Sequence, residues 1–268
     1  MKSAFLLVAA LAVPAAHAQM RDNRDKEMTC NEQRYGGRQA FHCDVREQTV
    51  ATAGHLNVDA GKNGGVTVKG WLRNDVLVRS RVEAWADRDA DAQALAGQVV
   101  VDAASGQVAA RGPNSADHEG WAVSYEIFVP QTSDLKLTAK NGSVTLSDVR
   151  GRIEFDTKNG AVRLARIAGD VNGATLNGAL HVELAGSSWE GRQLEVSTKN
   201  GAVTLAVTQN YSAHVQTETV NGGINSDFPV TVTGSLRPRP RTLDVNLGSG
   251  GPLIHVSTTN GAVRLQRI

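Results

Sequence analysis

The sequence predicts a mainly β protein: a β-solenoid or β-helix-like repeat stack, preceded by a β-rich cap carrying one short helix. Three observations carry that prediction. Asn-Gly occurs eight times, whereas 16 Asn and 27 Gly in 268 residues would give about 1.6 by chance. Around six of these dipeptides, apolar and polar residues alternate with period two. Aromatic residues make up only 4% of the chain, with glycine abundant and proline sparse, which suits short strands and turns better than a large helical core.

The repeat is clearest over residues 131–268. Its corner asparagines are Asn141, Asn159, Asn177, Asn200, Asn221 and Asn260, spaced by 18, 18, 23, 21 and 39 residues. The last interval equals two periods, or one period plus an insertion around Pro238 to Gly251. Six residues before each Asn stand Leu135, Ile153, Val171, Leu194, Val215 and Ile254. Two residues before it stand Ala139 and then Thr157, Thr175, Thr198, Thr219 and Thr258. Three residues after it stand Val144, Val162, Leu180, Val203, Ile224 and Val263. Such alternation on both sides of a tight corner gives each flanking strand one buried face. A weaker copy surrounds Asn63, from Leu56 to Val68.

Asn and Gly accept positive φ at low cost, so Asn-Gly can turn a chain sharply. Two architectures use such a corner. In a hairpin it is a type I′ turn between antiparallel strands. In a solenoid each period is one rung, and equivalent residues stack. Only the solenoid needs like residues at like positions, because Thr then lies over Thr and Asn over Asn.

Ahead of the repeat, residues 19–55 read as a polar lead-in, irregular from Gln19 to Arg38. Residues 56–130 read as the cap. Within it Asp75 to Trp85 and Trp121 to Val129 alternate as strands, Asp87 to Gly97 reads as the helix, and Gln98–Asp102 with Gln107–Arg111 reads as a hairpin. Residues 1–18 have the pattern of a secretory signal. Lys2 precedes the apolar run Ala4 to Val13, Pro14 breaks it, and Ala16-His17-Ala18 offers a cleavage site before Gln19. No later stretch is long enough to span a bilayer. Export to the periplasm, the cell surface or the medium is therefore expected. In an oxidising compartment Cys30 and Cys43 are expected to form a disulfide, contributing roughly 2–4 kcal/mol. The alternative, a metal pair with His42, lacks a second ligand pair at suitable spacing.

The run Gly120-Trp121-Ala122-Val123-Ser124-Tyr125-Glu126-Ile127-Phe128-Val129-Pro130, followed by repeated T-x-N-G-x-V-x-L, resembles a bacterial domain family of unknown function whose members carry the label adhesin. Asn225-Ser226-Asp227-Phe228-Pro229 and the closing Thr258-Thr259-Asn260-Gly261 strengthen the resemblance, which covers about Asp75 to Ile268. It implies a β-helix-like fold, an envelope or extracellular location and no catalytic residues.

Each group of chemistry-bearing residues also admits a plainer role. Glu154 and Glu195 lie on predicted outward positions two copies apart, roughly 10 Å, and are the best candidates for the carboxylate pair a polysaccharide-acting enzyme needs. The plainer reading is a solvated mixed-charge ladder. Lys140, Lys158 and Lys199 precede three corners and suggest a basic stripe able to hold an anionic glycan or phosphate, interrupted by Leu176 and Val220. The plainer reading is solubilising lysines. His42, His55, His118, His181, His214 and His255 follow no ligand spacing. Gly61-Lys62-Asn63-Gly64-Gly65 lacks the ending of a phosphate loop and reads as another corner. Trp189 lies in a lengthened connection, where burial caps the core and exposure would suit sugar stacking.

Net charge is +1 for the whole chain, against nucleic-acid binding. The reading is a non-catalytic envelope-binding, adhesin-like or scaffold protein. No cofactor, metal or catalytic residue is assigned, and the partner is an unknown envelope protein or glycan. A polysaccharide-acting β-helix enzyme and an envelope-stress or signalling accessory are the alternatives.

Overall fold

A computed structural model describes residues 28–30, 39–115, 117–229 and 241–268. The signal segment, most of the irregular lead-in and part of the insertion before Gly251 lie outside the described residues.

From the N-terminal side the strands are β1 (Ala40–Ala51), β2 (His55–Asp59), β3 (Val66–Trp71) and β4 (Asp75–Ala86). The helix α1 (Asp89–Gln98) follows, then β5 (Val100–Ala104), β6 (Gln107–Arg111) and β7 (Gly120–Pro130). The repeats give strand pairs: β8 (Asp134–Asn141) and β9 (Val144–Ser147), β10 (Arg150–Asn159) and β11 (Val162–Ala165), β12 (Ala168–Asn177) and β13 (Leu180–Leu184). Next come β14 (Gln193–Asn200) and β15 (Val203–Val207), then β16 (Ala213–Asn221) and β17 (Ile224–Ser226). A lone strand β18 (Thr242–Leu247) precedes the last pair, β19 (Leu253–Asn260) and β20 (Val263–Arg267).

Seven of the eight Asn-Gly dipeptides pass the chain from one ten-stranded sheet to the other, whereas Asn172-Gly173 lies within β12. The strand before the corner lies in a leading sheet and the strand after it in a trailing sheet. Copies pair in parallel and in register: Asn159 opposes Asn141 and Asn177, and Ile153 opposes Leu135 and Val171. The corners are therefore solenoid corners and not hairpin turns. The inward residues form one continuous core, with Leu137, Leu146, Ile153, Leu164, Leu180 and Leu194 fully buried. Phe155 reaches over the next rung at Gly173, where an added Cβ would lie 2.4 Å from its ring.

The reason for glycine at the corners differs from the sequence expectation. None of the corner Asn or Gly residues has positive φ. Gly142, Gly160, Gly178, Gly201, Gly261 and Gly222 are needed because successive rungs nearly touch there. A Cβ on any of them would lie 1.9–2.0 Å from the carbonyl oxygen of the glycine one rung away. Positive φ is found instead at the opposite corners, at Asp148 and Arg166, which pair side by side through two 2.7 Å contacts.

Rung order also departs from chain order. The Asn63 copy, placed in the cap by its sequence, stacks on the Asn141 rung through β2–β8 and β3–β9. At the far end the Asn260 rung lies between those of Asn200 and Asn221. The 39-residue interval is thus one period plus an excursion, in which β18 runs antiparallel along β16 before the chain returns to fill the gap.

At the N-terminal end β4 pairs antiparallel with β7 and β1, extending the trailing sheet. Within the polar stretch 19–55 lies a strand, downstream of the part expected to be irregular. Residues 40–51 form a 12-residue edge strand, none of whose residues is buried: four are exposed and eight partly so. That mixed pattern hides its strand character in the sequence. Cys30 is bonded to Cys43 of β1, with a Cα–Cα distance of 5.8 Å. β5 and β6 form the hairpin that finishes the leading sheet, turning through Ser105 and Gly106, both at positive φ. Helix α1 packs on β4 and β1, and Arg46 of β1 donates to the carbonyls of Ala96 and Val99 at its C-terminal end.

Substituting Gly201 by Ala should destabilise the protein by about 3 kcal/mol, because the carbonyl of Gly178 cannot yield without moving the rung. The same change at Gly97, within α1 and with nothing inside 4 Å of the new Cβ, should stabilise by up to ~1 kcal/mol. Urea denaturation midpoints of the two variants test the contrast.

Candidate functional site

The described surface offers three places where chemistry could gather: the Asn-Gly seam, the outer face of the leading sheet, and the outer face of the cap.

Along the seam every side chain of the repeated motif has a task. The carboxamides form one ladder. Asn141 donates to Asn63 at 3.0 Å, Asn159 to Asn141 at 2.8 Å, and Asn177 to Asn159 and Asn200 to Asn177 at 2.7 Å. Asn260 then donates to Asn200 at 2.7 Å and Asn221 to Asn260 at 2.8 Å. Beneath them the buried threonines donate to glycine carbonyls of the adjacent rung: Thr157 to Gly142, Thr175 to Gly160, Thr198 to Gly178, Thr258 to Gly201 and Thr219 to Gly261, at 2.8–3.1 Å. The residue just before each Asn points outward. In spatial order this row reads Lys62, Lys140, Lys158, Leu176, Lys199, Thr259, Val220. The stripe of Lys140, Lys158 and Lys199 therefore exists, and Lys62 extends it. Lys62 is hard to place from sequence because 78 residues separate its corner from that of Asn141, on which it stacks.

Glu154 and Glu195 stand in the row five residues before the asparagines. Asn172 separates them, so their strands are two spacings apart, roughly 10 Å. Glu154 is engaged by Arg152 at 3.1 Å, and Glu195 lies 3.9 Å from His255. Neither carboxylate is buried, and they do not converge on one space. Between this row and the lysines runs an open groove of about 660 Å³. Asp156, Ala174, Ser197, Ser257 and Glu218 form its floor in spatial order, and Lys158, Leu176 and Lys199 line its seam side.

On the cap, a row of alternating charge crosses four strands outside the main core. Glu47 meets Arg79 at 2.7 Å, Arg79 meets Glu126 at 3.4 Å, and Glu126 meets Lys69 at 2.7 Å. Arg79 and Glu126 are only 8% and 6% exposed, and both cations lie near the Phe128 ring. Each charge is matched, so the row fastens the cap and leaves no group poised for reaction. Trp189 is buried within the core, not available for stacking on a ligand. The described histidines are dispersed. Among the described residues, no group of three or more His, Cys, Asp or Glu could hold a metal ion. No described helix is long and apolar enough to cross a membrane.

Three comparisons bear on these features. The Toastrack DUF4097 family profile matches residues 50–266. Among solved structures, the chain is similar to a candidate cell adhesion protein from Clostridium sporogenes, at 10% identity and a TM-score of 0.45, covering 85% of this chain and 100% of that one. It is also similar to a candidate adhesin from Bacteroides fragilis, at 14% identity and a TM-score of 0.35, covering 85% and 97%. A candidate lipid binding protein from Parabacteroides distasonis shares 11% identity at a TM-score of 0.31, covering 84% and 96%. No curated protein matches the chain significantly.

One histidine gives the stack a pH dependence. Burial, and then the neighbouring Arg163, hold the His181 imidazole below its ordinary range, while Glu183 pulls the other way. A histidine with a depressed folded pKa binds fewer protons folded than unfolded, so stability is full above the ordinary imidazole pKa and falls on acidification through it. The melting temperature should therefore decline from neutral pH to about pH 5.5, and the decline should be smaller in His181→Asn. Thermal melts at the two pH values measure the difference.

Proposed function

This chain belongs to the Toastrack DUF4097 family, and from that premise we propose that it is a non-catalytic binding or scaffold module of the cell envelope. The observation that carries this reading is the seam: seven rungs present the same exposed carboxamide at a fixed spacing on a rigid, fully paired backbone. Repetition of that kind favours an extended partner held by many weak contacts over a single small molecule held by a few strong ones. The open groove beside it has the same elongated character. The signal-like segment 1–18 and the Cys30–Cys43 disulfide support residence in an oxidising, exported compartment. The separation and solvation of Glu154 and Glu195 speak against a glycosidase pair, since both general acid and base must face one bond.

Purified chain should co-sediment with isolated cell-envelope fractions and release no reducing sugar from envelope polysaccharides. Turnover of any polysaccharide that disappears in Glu154→Gln or Glu195→Gln would replace this reading with the enzymatic one.

A further inference from the structure

The seam carries more than a structural ladder. Take the six positions from the residue before each corner Asn to the fourth residue after it, in all seven rungs. They contain Lys62, Lys140, Lys158, Lys199, Arg163 and Arg264, and not one Asp or Glu. The chain as a whole has 28 basic and 27 acidic residues, so charge is segregated along this line. Arg163 and Arg264 have carboxylates at 3.6 and 4.0 Å, in Glu183 and Asp227. The four lysines are exposed and make no ion pair among the described residues.

The opposite corners are built differently. There Arg166 is paired with Asp148, Arg150 with Glu190, and Arg192 with Asp170. The same stack thus pairs its charges along one side and, along the other, leaves four lysines without an ion pair among the described residues.

The spacing selects the kind of anion. Successive rungs are about 4.8 Å apart, and Lys62, Lys140 and Lys158 occupy three successive rungs, with Lys199 two rungs further on. A pyranose ring is about as long as one strand spacing, so a linear polyuronate laid along the stack axis keeps its carboxylates in step with the rungs. The asparagines supply the second component. Each carboxamide has two N–H donors and the ladder uses one, leaving an outward donor on every rung for hydroxyl or ring oxygens. The third component is clearance. Beyond each Asn the next two residues are Gly followed by Gly, Ser or Ala, so no long side chain keeps a polymer off the seam.

We propose that the Asn-Gly seam binds a linear carboxylated glycan, lying across the rungs, with Lys62, Lys140, Lys158 and Lys199 as its counter-charges and the asparagine ladder as its hydrogen-bonding rail. This rests on the binding reading above and names its ligand class. Exposed lysine–carboxylate pairs are individually weak and screened by salt. Affinity must come from their number, and must fall as ionic strength rises.

The test is affinity electrophoresis and calorimetry of the full exported chain with alginate, using dextran as the neutral control and polyphosphate as the competing anion. Alginate should bind at low ionic strength and release in salt, dextran should not bind, and polyphosphate should bind more weakly than alginate. The fourfold variant Lys62→Gln, Lys140→Gln, Lys158→Gln, Lys199→Gln should lose about tenfold or more in affinity, because the contacts act together. Its melting temperature should be unchanged, since the four side chains are exposed and unpaired. Lys136→Gln, on the leading face away from the seam, should bind as the parent does. Undiminished binding by the fourfold variant, indifference of the parent to alginate, or preference for polyphosphate overturns the assignment. A parent that sediments with envelope fractions yet ignores alginate sinks this inference alone. A parent that does not sediment sinks the broader reading.

Discussion

The structure depends on how closely the backbone of one rung can approach the next at the Asn-Gly corner. The glycine carbonyl of each rung sits where any Cβ of its neighbour would have to be. That carbonyl also accepts the threonine hydroxyl of the adjacent rung. A shift of one residue would remove the glycine from the contact, strand a buried hydroxyl and place an outward side chain in the core. The corner therefore fixes the register of both sheets at once, and the layered core follows from it. Between the sheets, packing adjusts locally around that fixed frame, as where the Phe155 ring fills the space that Gly173 leaves open.

A stack held this way has no natural end, and each end is closed by different means. The N-terminal end leaves the repeat altogether: β4 reverses direction, and β1, α1 and the β5–β6 hairpin extend or cover the sheets. The ion row from Glu47 to Lys69 binds four strands there without using the core. The other end reorders its rungs. The last rung of the chain lies inside the one before it, and the short β17 and the antiparallel β18 become the terminal strands. Short edges and reversed strands are poor templates for further parallel pairing, so both devices limit growth of the stack by addition of other chains.

Much of this was legible in the sequence, for a physical reason. Period-two alternation reports burial directly, and recurrence of Thr two residues before Asn has no purpose unless equivalent residues stack. What the sequence concealed was pairing between distant segments. The 39-residue interval before Asn260 gives a length but not a place, and the rungs of Asn221 and Asn260 carry the same motif, so neither order is written in them. The strand Ala40–Ala51 was hidden because its charged residues are stabilised by partners far along the chain, such as Glu47 by Arg79 and Arg46 by the carbonyls at the end of α1. The role of the corner glycines is concealed for a similar reason. Conformational freedom is a local property, whereas the contact that excludes a Cβ comes from another rung.

The same geometry explains how a structural motif can acquire a binding face. Inside the seam, threonine hydroxyls and glycine carbonyls satisfy one another and leave nothing to offer. Outside it, the asparagine ladder satisfies only half of its donors, and the position before each Asn is exempt from both core packing and backbone pairing. That position is where the sequence varies, from Lys to Leu, Thr and Val, while Asn and Gly recur without change. The fold thus leaves a line beside the ladder free to vary toward solvent, with its spacing set by the strands themselves. Four of seven positions on that line hold lysine, and no acidic residue opposes them there. Solubility alone does not require segregation of this kind, because the opposite corners reach solvent with their charges paired. A linear repeat of unmatched cations beside unmatched amide donors is the arrangement that an extended, regularly charged partner would need.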